Sequence, residues 1–279
     1  MSIEFPEANI LARQMNWELK GKRVADSELR NCQKLQKIRF VNTNTSDFAR
    51  LARSKIESVT SRGNVVLLKM DNAMNLILAP EYGGKILYHP GGNVVPKEFH
   101  LKVCFSDDTA LTVALTGMGI IQALKDDELE KSYVYRRDFS QTPAPIGEKF
   151  KFDQFSNGLS SKTVNIKSLI VGKDALVVGL GNSAFQDIIY RAKIHPKRKS
   201  SELVDAEKRG LFEALAFVIQ ERIRAGGKTQ FQDLYGKQGT YVPAMGPNMK
   251  NRDCPTCQTP VKMLSLGGGQ VFYCPICQT

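Results

Sequence analysis

Four cysteines close the chain: Cys254-Pro-Thr-Cys257 and, sixteen residues later, Cys274-Pro-Ile-Cys277. Each C-x2-C pair can wrap two adjacent corners of a tetrahedral metal site, and the stretch between them is long enough for a β-hairpin bearing both pairs. The spacing reads as one structural Zn2+ held by four thiolates. Gly267-Gly268-Gly269 falls in that hairpin, and Val271-Phe272-Tyr273 leads into the second pair. Two disulfides, or thiols that are merely buried, are the competing readings. Cys32 and Cys104 show no framework spacing, and Glu4 and Glu7 stand where a signal peptide needs cationic then apolar residues. A reducing cytoplasm is therefore expected, and it disfavours disulfides.

Charge narrows the class of partner. The chain carries 39 Lys+Arg against 28 Asp+Glu, a net charge of +11 over 279 residues. Such an excess suits a phosphate binder better than an enzyme of small metabolites, although a basic, soluble protein without such a partner has the same composition. A length of this order fits about two domains. No apolar run approaches the about 20 residues of a membrane span.

The first half reads mainly as strands behind one helix. After Pro6, the stripe Ala8, Leu11, Ala12, Met15, Leu19 marks a single buried helix face. Pro6 suits a first turn, where its missing N–H costs nothing. Strand-like segments follow at 56–60, 65–70, 75–78, 100–105 and 109–115, separated by turn residues. This pattern predicts a β-sandwich with a leading helix. Thr142-Pro143-Ala144-Pro145-Ile146-Gly147 reads as a stiff linker. Beyond it the pattern turns helical: Asp205 is a candidate N-cap, and Leu211, Leu215, Val218 and Ile219 share a face before Gly226-Gly227. The fold class is thus α+β and multidomain, with a β-sandwich over 1–140, a helical domain over 148–249 and a zinc ribbon over 250–279.

Between linker and ribbon lies Gly179-Leu180-Gly181-Asn182. Its glycines permit a tight interhelical turn with unusual φ values and let backbone N–H groups approach a phosphate. Asn182 is expected to cap the next helix or to offer its amide to that phosphate; a plain glycine turn with a capping Asn explains the same residues.

Taken together, these pieces resemble the formamidopyrimidine-DNA glycosylase/endonuclease VIII family of base-excision repair enzymes. Glu4-Phe5-Pro6-Glu7 is similar to that family's opening. Gly179-Leu180-Gly181-Asn182 with Ala192-Lys193-Ile194-His195-Pro196, and Ile166-Lys167 upstream, resembles its helix–two-turn–helix signature. The terminal cysteines, closing Cys274-Pro275-Ile276-Cys277-Gln278, resemble its zinc finger. The resemblance implies a monomer that grips damaged double-stranded DNA and needs no small-molecule cofactor. It implies a proline amine that attacks the sugar C1′, a glutamate acting as acid/base and a second glutamate holding the site. Glu4 and Glu7 occupy the two carboxylate positions; without the resemblance they are glutamates favoured by a helix N-terminus.

The chain departs from the pattern at one site. Ile3 takes the proline's place, and Ser2 precedes it. With Met1 removed, the Ser2 amine is a candidate nucleophile, displaced by about 3.5 Å along the chain. Arg62-Gly63-Asn64 lies on the hairpin where the family supplies a phosphate-binding lysine, so Asn64 stands in for it. Gln270 replaces an arginine of the ribbon and can offer only a neutral hydrogen bond. In Thr116-Gly117-Met118-Gly119, Met118 alone is wedge-like, with a core-facing Met in an ordinary turn as the other reading. Arg191, Lys193, Lys197, Arg198 and Lys199 can track phosphates or form a solvated face. Lesion choice is expected to rest on loops at 157–161 and 236–249.

Three functions fit. One is a DNA glycosylase, with or without abasic-site lyase activity, of altered chemistry. The second is a catalytically impaired protein that binds damaged or abasic DNA on the same scaffold. The third is a zinc-ribbon protein acting on RNA or a ribonucleoprotein. The two glutamates favour the first; the missing proline, lysine and arginine favour the second.

Overall fold

The computed structural model describes residues 3–81, 83–91, 95–139, 150–172 and 175–279. The linker expected at 142–147, and Ser2, lie outside these. The chain divides into two compact units: Met1–Gln141 with Ala225–Thr240, and Thr142–Arg224 with Tyr241–Thr279.

In the first unit, helix α1 (Phe5–Leu19) begins with Pro6 in its first turn and buries Ala8, Leu11, Ala12, Met15 and Leu19, the stripe read from the sequence. Strand β1 (Val24–Leu29) and two short helices, α2 (Gln33–Lys37) and α3 (Ser46–Ala49), follow. The strands are then β2 (Ile56–Arg62), β3 (Val65–Met70), β4 (Met74–Pro80), β5 (Lys85–His89), β6 (Leu101–Phe105), β7 (Ala110–Ala114) and β8 (Gly119–Lys125). They form two four-stranded sheets, in the orders β1-β6-β7-β5 and β2-β3-β4-β8. Every neighbouring pair is antiparallel. This is the β-rich lobe with a leading helix that the sequence predicts.

Three strands were not legible in the pattern: β1, β5 and β8. All three are sheet edges. An edge strand has one hydrogen-bonded neighbour, and its apolar alternation is weak or interrupted by polar residues, as in Val-Ala-Asp-Ser-Glu-Leu of β1. The central β4 is the opposite case and is buried at all of its residues. One of its faces, Ile77 and Ala79, joins Val65 and Val134, the last from α4 (Tyr133–Phe139). Its other face, with Leu76 and Leu78, is equally closed to solvent.

Segment 225–240 belongs to this unit because polar groups of α1 fasten it there. Gln14 donates to Asp233 at 2.9 Å and accepts from the Leu234 N–H at 3.0 Å. The Leu234 carbonyl accepts from the Tyr88 N–H at 2.9 Å, which extends the tie to β5.

The second unit is helical: α5 (Phe152–Ser160), α6 (Ile166–Val171), α7 (Asn182–Arg191) and α8 (Asp205–Arg224), followed by a hairpin of β9 (Lys262–Leu266) and β10 (Gly269–Tyr273). Residues 157–160, expected as a loop, form the last part of α5, with Leu159 in the core. Asp205 is the first helical residue of α8 rather than its cap; the Glu207 carboxylate accepts from the Val204 N–H at 2.9 Å and serves the helix end instead. Gly226 and Gly227, at φ 69° and 93°, stop any continuation of that helix. Among the described residues no helix is long and apolar enough to cross a membrane.

Leu11 is 1% exposed and Trp17, on the same helix, 84%. Leu11→Ala is therefore expected to lower the unfolding free energy by about 2–5 kcal/mol, and Trp17→Ala by no more than about 0.5 kcal/mol. Urea denaturation of both variants checks the contrast.

Candidate functional site

The start of α1 is closed to solvent: Ile3 and Glu4 are 5% exposed and Glu7 is 0% exposed. A carboxylate so buried must have its charge met by hydrogen-bond donors. The Glu7 carboxylate accepts from the Glu4 backbone N–H at 3.0 Å through one oxygen and from the Lys228 backbone N–H at 3.2 Å through the other. Close approach on the second side depends on Gly227, where an added Cβ would stand 3.3 Å from the Glu7 Cγ and 2.5 Å from the Phe231 ring. Beside this clasp lies a pocket of about 180 Å³ whose lining includes Ile3, Gly84, Lys228, Gln230 and Phe231. Ile3 thus borders this cavity. Ser2 lies outside the described residues.

At the β2–β3 turn, Gly63 at φ 58° packs against Asp138 so closely that a Cβ there would fall 2.2 Å from the carboxylate. The Asn64 N–H donates to that carboxylate at 3.3 Å. The Asn64 side-chain oxygen accepts from Arg137 at 2.5 Å, and Arg137 is also ion-paired with Asp138. A guanidinium from α4 therefore stands beside the residue that replaces the expected lysine. Arg62 has a buried Nε without a hydrogen-bond partner among the described residues. Met118 sits in a tight turn closed by the Thr116–Met118 bridge and is 40% exposed. The core-facing alternative for Met118 does not hold.

In the second unit, the Gly-x-Gly-Asn turn has one residue in the left-handed region, Gly179 at φ 83°; Gly181 is extended at φ −121°. Gly181 takes the cap position of α7, so Asn182 does not cap it. The Asn182 amide instead donates to the Gln270 carbonyl at 2.7 Å, and its buried Oδ1 has no partner among the described residues. Lys167 reaches the same hairpin, its Nζ donating to the Leu266 carbonyl at 2.6 Å, and burial lowers its pKa below the ordinary lysine value. The structure brings Asn182, Gln270 and Lys167 together at one hairpin turn. Of the five cationic residues near 191–199, Arg191 pairs with Asp187 at 3.0 Å and Arg198 with Glu207 at 3.0 Å. Lys193, Lys197 and Lys199 are exposed.

The four terminal thiols converge within 4.8 Å of one another. Cys254 and Cys277 are 3.8 Å apart and Cys257 and Cys274 3.4 Å, too far for the about 2.0 Å of a disulfide. Tetrahedral metal–thiolate bonds of about 2.3 Å imply sulfur–sulfur edges of about 3.8 Å, so the cluster can hold a metal ion. Burial opposes ionisation of Cys254, but hydrogen bonds from the Tyr190 hydroxyl and from the backbone of Thr256 and Cys257 outweigh it and bring the thiol down to about 6. Tyr190 carries this support from α7 and also contacts Thr256 at 2.8 Å. Gln278 closes the knuckle, accepting from the Cys274 N–H at 2.9 Å and donating to the Ile194 carbonyl at 3.0 Å.

Residues 3–116 match the formamidopyrimidine-DNA glycosylase N-terminal domain, and residues 142–233 match the formamidopyrimidine-DNA glycosylase H2TH domain. The chain belongs to the formamidopyrimidine-DNA glycosylase family. It is 26% identical to the formamidopyrimidine-DNA glycosylase of Streptococcus mutans over 99% of this chain and 98% of that protein. It is 27% identical to the one from Herpetosiphon aurantiacus over 99% of each. Among solved structures, the Lactococcus lactis protein in complex with DNA containing an abasic site superposes with a TM-score of 0.84 at 22% identity, covering 99% of both chains. The Thermus thermophilus protein gives 0.83 at 21%, covering 99% of this chain and 98% of that one. At these identities the structural likeness establishes the fold.

Two residues of the site escaped the sequence reading. Arg137 carried no signal beyond its charge. Lys228 followed a glycine pair that reads as a helix stop, and its burial beside Glu7 is a tertiary fact. Glu7→Gln tests the clasp directly, since an amide leaves one N–H facing an NH2 group. It is expected to lower the unfolding free energy by about 1–3 kcal/mol. An unchanged urea midpoint would show that Glu7 does not hold the two strands of chain together.

Proposed function

We propose that this protein is a base-excision DNA glycosylase that removes oxidised or otherwise damaged bases from double-stranded DNA. The observation that carries the reading is the buried Glu4–Glu7 pair beside a pocket bordered by Ile3 in a member of this family. Glu4 is the acid/base: a carboxyl group next to the reacting sugar can protonate a leaving base and accept a proton afterwards. Glu7, with its oxygens committed to two backbone N–H groups, positions Glu4 and Lys228 rather than moving protons. The nucleophile is not a proline. An activated water is sufficient for base release, and the Ser2 amine is an alternative once Met1 is removed.

Binding falls to other residues. Arg62, with its orphaned Nε, and Asn64 beside Arg137 form one phosphate-facing group; Met118 is an exposed apolar side chain able to enter a base stack. Asn182, Lys167 and Gln270 form a second group, and Lys197 contributes charge on the exposed face of the same unit. One structural zinc ion held by Cys254, Cys257, Cys274 and Cys277 supplies a rigid crosslink for the β9–β10 hairpin. The protein acts as a cytoplasmic monomer without a small-molecule cofactor. DNA is favoured over RNA because the family resemblance spans both units and not the ribbon alone.

The second reading, a protein that binds damaged or abasic DNA without cutting it, is favoured by Ile3 at the proline's position and by Asn64 and Gln270 where cations are expected. Glu4→Gln separates the two. Excision from duplexes carrying an oxidised purine or pyrimidine should be lost in the variant while duplex affinity is retained. Excision that survives the change removes Glu4 from the acid/base role, and a wild-type protein that binds but never excises leaves the second reading. Metal analysis should find one zinc per chain, and Cys274→Ser should lose both the zinc and much of the duplex affinity. A variant that stays metal-free yet binds normally would dissociate the ribbon from DNA binding.

A further inference from the structure

We propose that the outer face of α1 around Trp17, with the loop beside it, is a docking surface for an acidic protein segment that carries an apolar side chain. The inference is independent of the excision chemistry and concerns a partner of the β-rich unit. Trp17 is the only tryptophan of the chain and is 84% exposed. Tryptophan is buried over most of its surface in typical folds, so an indole left in water on a regular helix marks a contact that the chain itself does not make. Arg13, one turn before Trp17, and Lys20, about one turn after it, share its outward stripe. Both are exposed, and neither has a carboxylate within ion-pair reach among the described residues.

The loop that follows Asp233 adds a second aromatic ring and a third cation. The Tyr235 hydroxyl donates to the Glu18 carboxylate at 2.7 Å, which sets a ring 52% exposed against the residue next to Trp17. Lys237 is exposed on the same loop and also lacks a carboxylate partner among the described residues. The buried Asp233 carboxylate holds the loop in shape, accepting from the backbone N–H of Tyr235 at 3.0 Å and of Lys237 at 2.9 Å, and from Gln14 of α1 at 2.9 Å. The surface is therefore formed before any partner arrives, which lowers the ordering cost of binding.

Its chemistry selects the occupant. Exposed Trp, Tyr and Arg side chains are the residues that anchor protein interfaces, and three unpaired cations around two rings call for carboxylates on the other side. A second copy of this chain would set like charges against each other. A nucleic-acid strand fits less well, because Glu18 links the helix that carries Arg13 and Lys20 to the loop that carries Lys237. A phosphate backbone following the three cations would have to pass that carboxylate. A peptide can instead place an apolar side chain on the rings and its acids to either side. Trp17 also lies thirteen residues beyond Glu4, about 20 Å along the helix at ~1.5 Å per residue, well away from the pocket at the α1 start.

The test titrates the full-length, zinc-loaded protein with a short synthetic peptide rich in aspartate and glutamate and bearing a pair of phenylalanines. As the sole indole, Trp17 reports binding through its own emission, which should shift to the blue and saturate. With a dye-labelled peptide read by anisotropy, Trp17→Ala should weaken binding about tenfold or more. Arg13→Glu combined with Lys20→Glu should do the same, and added salt should weaken binding by the wild-type protein. Unchanged urea midpoints establish that the variants are folded, and saturating duplex DNA should not displace the peptide. No saturable response up to about 1 mM peptide overturns the proposal. Equal binding of a peptide with lysines in place of its acids overturns it too, as does displacement by duplex. A single-stranded oligonucleotide that shifts Trp17 emission where the peptide does not would assign the surface to nucleic acid, and a shift that depends on protein concentration alone would assign it to self-association.

Discussion

A single buried carboxylate organises the candidate active site. Glu7 has no access to water, and the two backbone N–H groups it accepts from belong to residues more than two hundred positions apart in the chain. In a low-dielectric interior such charge-assisted bonds are strong, and leaving either donor unmet is costly. The first turn of α1 and the segment after α8 are thereby held against each other. The pocket bordered by Ile3, the placement of Lys228 and the burial of Glu4 all follow from that constraint. Segment 225–240 is a short return of the chain into the β-rich unit, and α1 fastens it twice more through Gln14.

Local pattern carried much of the fold. The α1 stripe is strongly periodic and its residues are the ones buried. Of the strands with two neighbours, β4 and β7 are buried almost throughout, and β3 and β6 keep a dense apolar face. Edge strands β1, β5 and β8 are buried at fewer than half of their residues, and their apolar pattern is correspondingly sparse. The return of 225–240 had no signal because it is secured by side-chain hydrogen bonds to a distant helix. Cap positions at Asp205 and Asn182 were each misplaced by one residue, since a sequence offers several side-chain acceptors near a helix start and packing decides between them.

The metal cluster was the most legible part of the site, because four ligands at two fixed spacings admit few arrangements other than convergence. Thiol separations of 3.4 and 3.8 Å accord with that geometry. The Asn182 amide donates to a hairpin carbonyl, a contact across 88 positions that no local pattern announces and that braces α7 against the ribbon. Arg137 and Lys228 were invisible for a common physical reason. Each is an ordinary cation in sequence, and each becomes notable only because tertiary packing brings a distant residue to it, Asn64 to Arg137 and Glu7 to Lys228. At positions 64 and 270, where cations are expected, a cation from another element stands close by: Arg137 beside Asn64, and Lys167 bonded to the hairpin that carries Gln270.

Hydrogen exchange of the backbone amides tests the arrangement most directly. The protein would be compared with an undamaged duplex and with one containing a non-reactive abasic analogue, at matched saturation. If the α1 start and the 225–240 segment together form the damage-recognition site, the abasic duplex should slow exchange at residues 3–8 and 227–238 beyond the undamaged one. Equal protection with both duplexes, or extra protection confined to other parts of the chain, would contradict it.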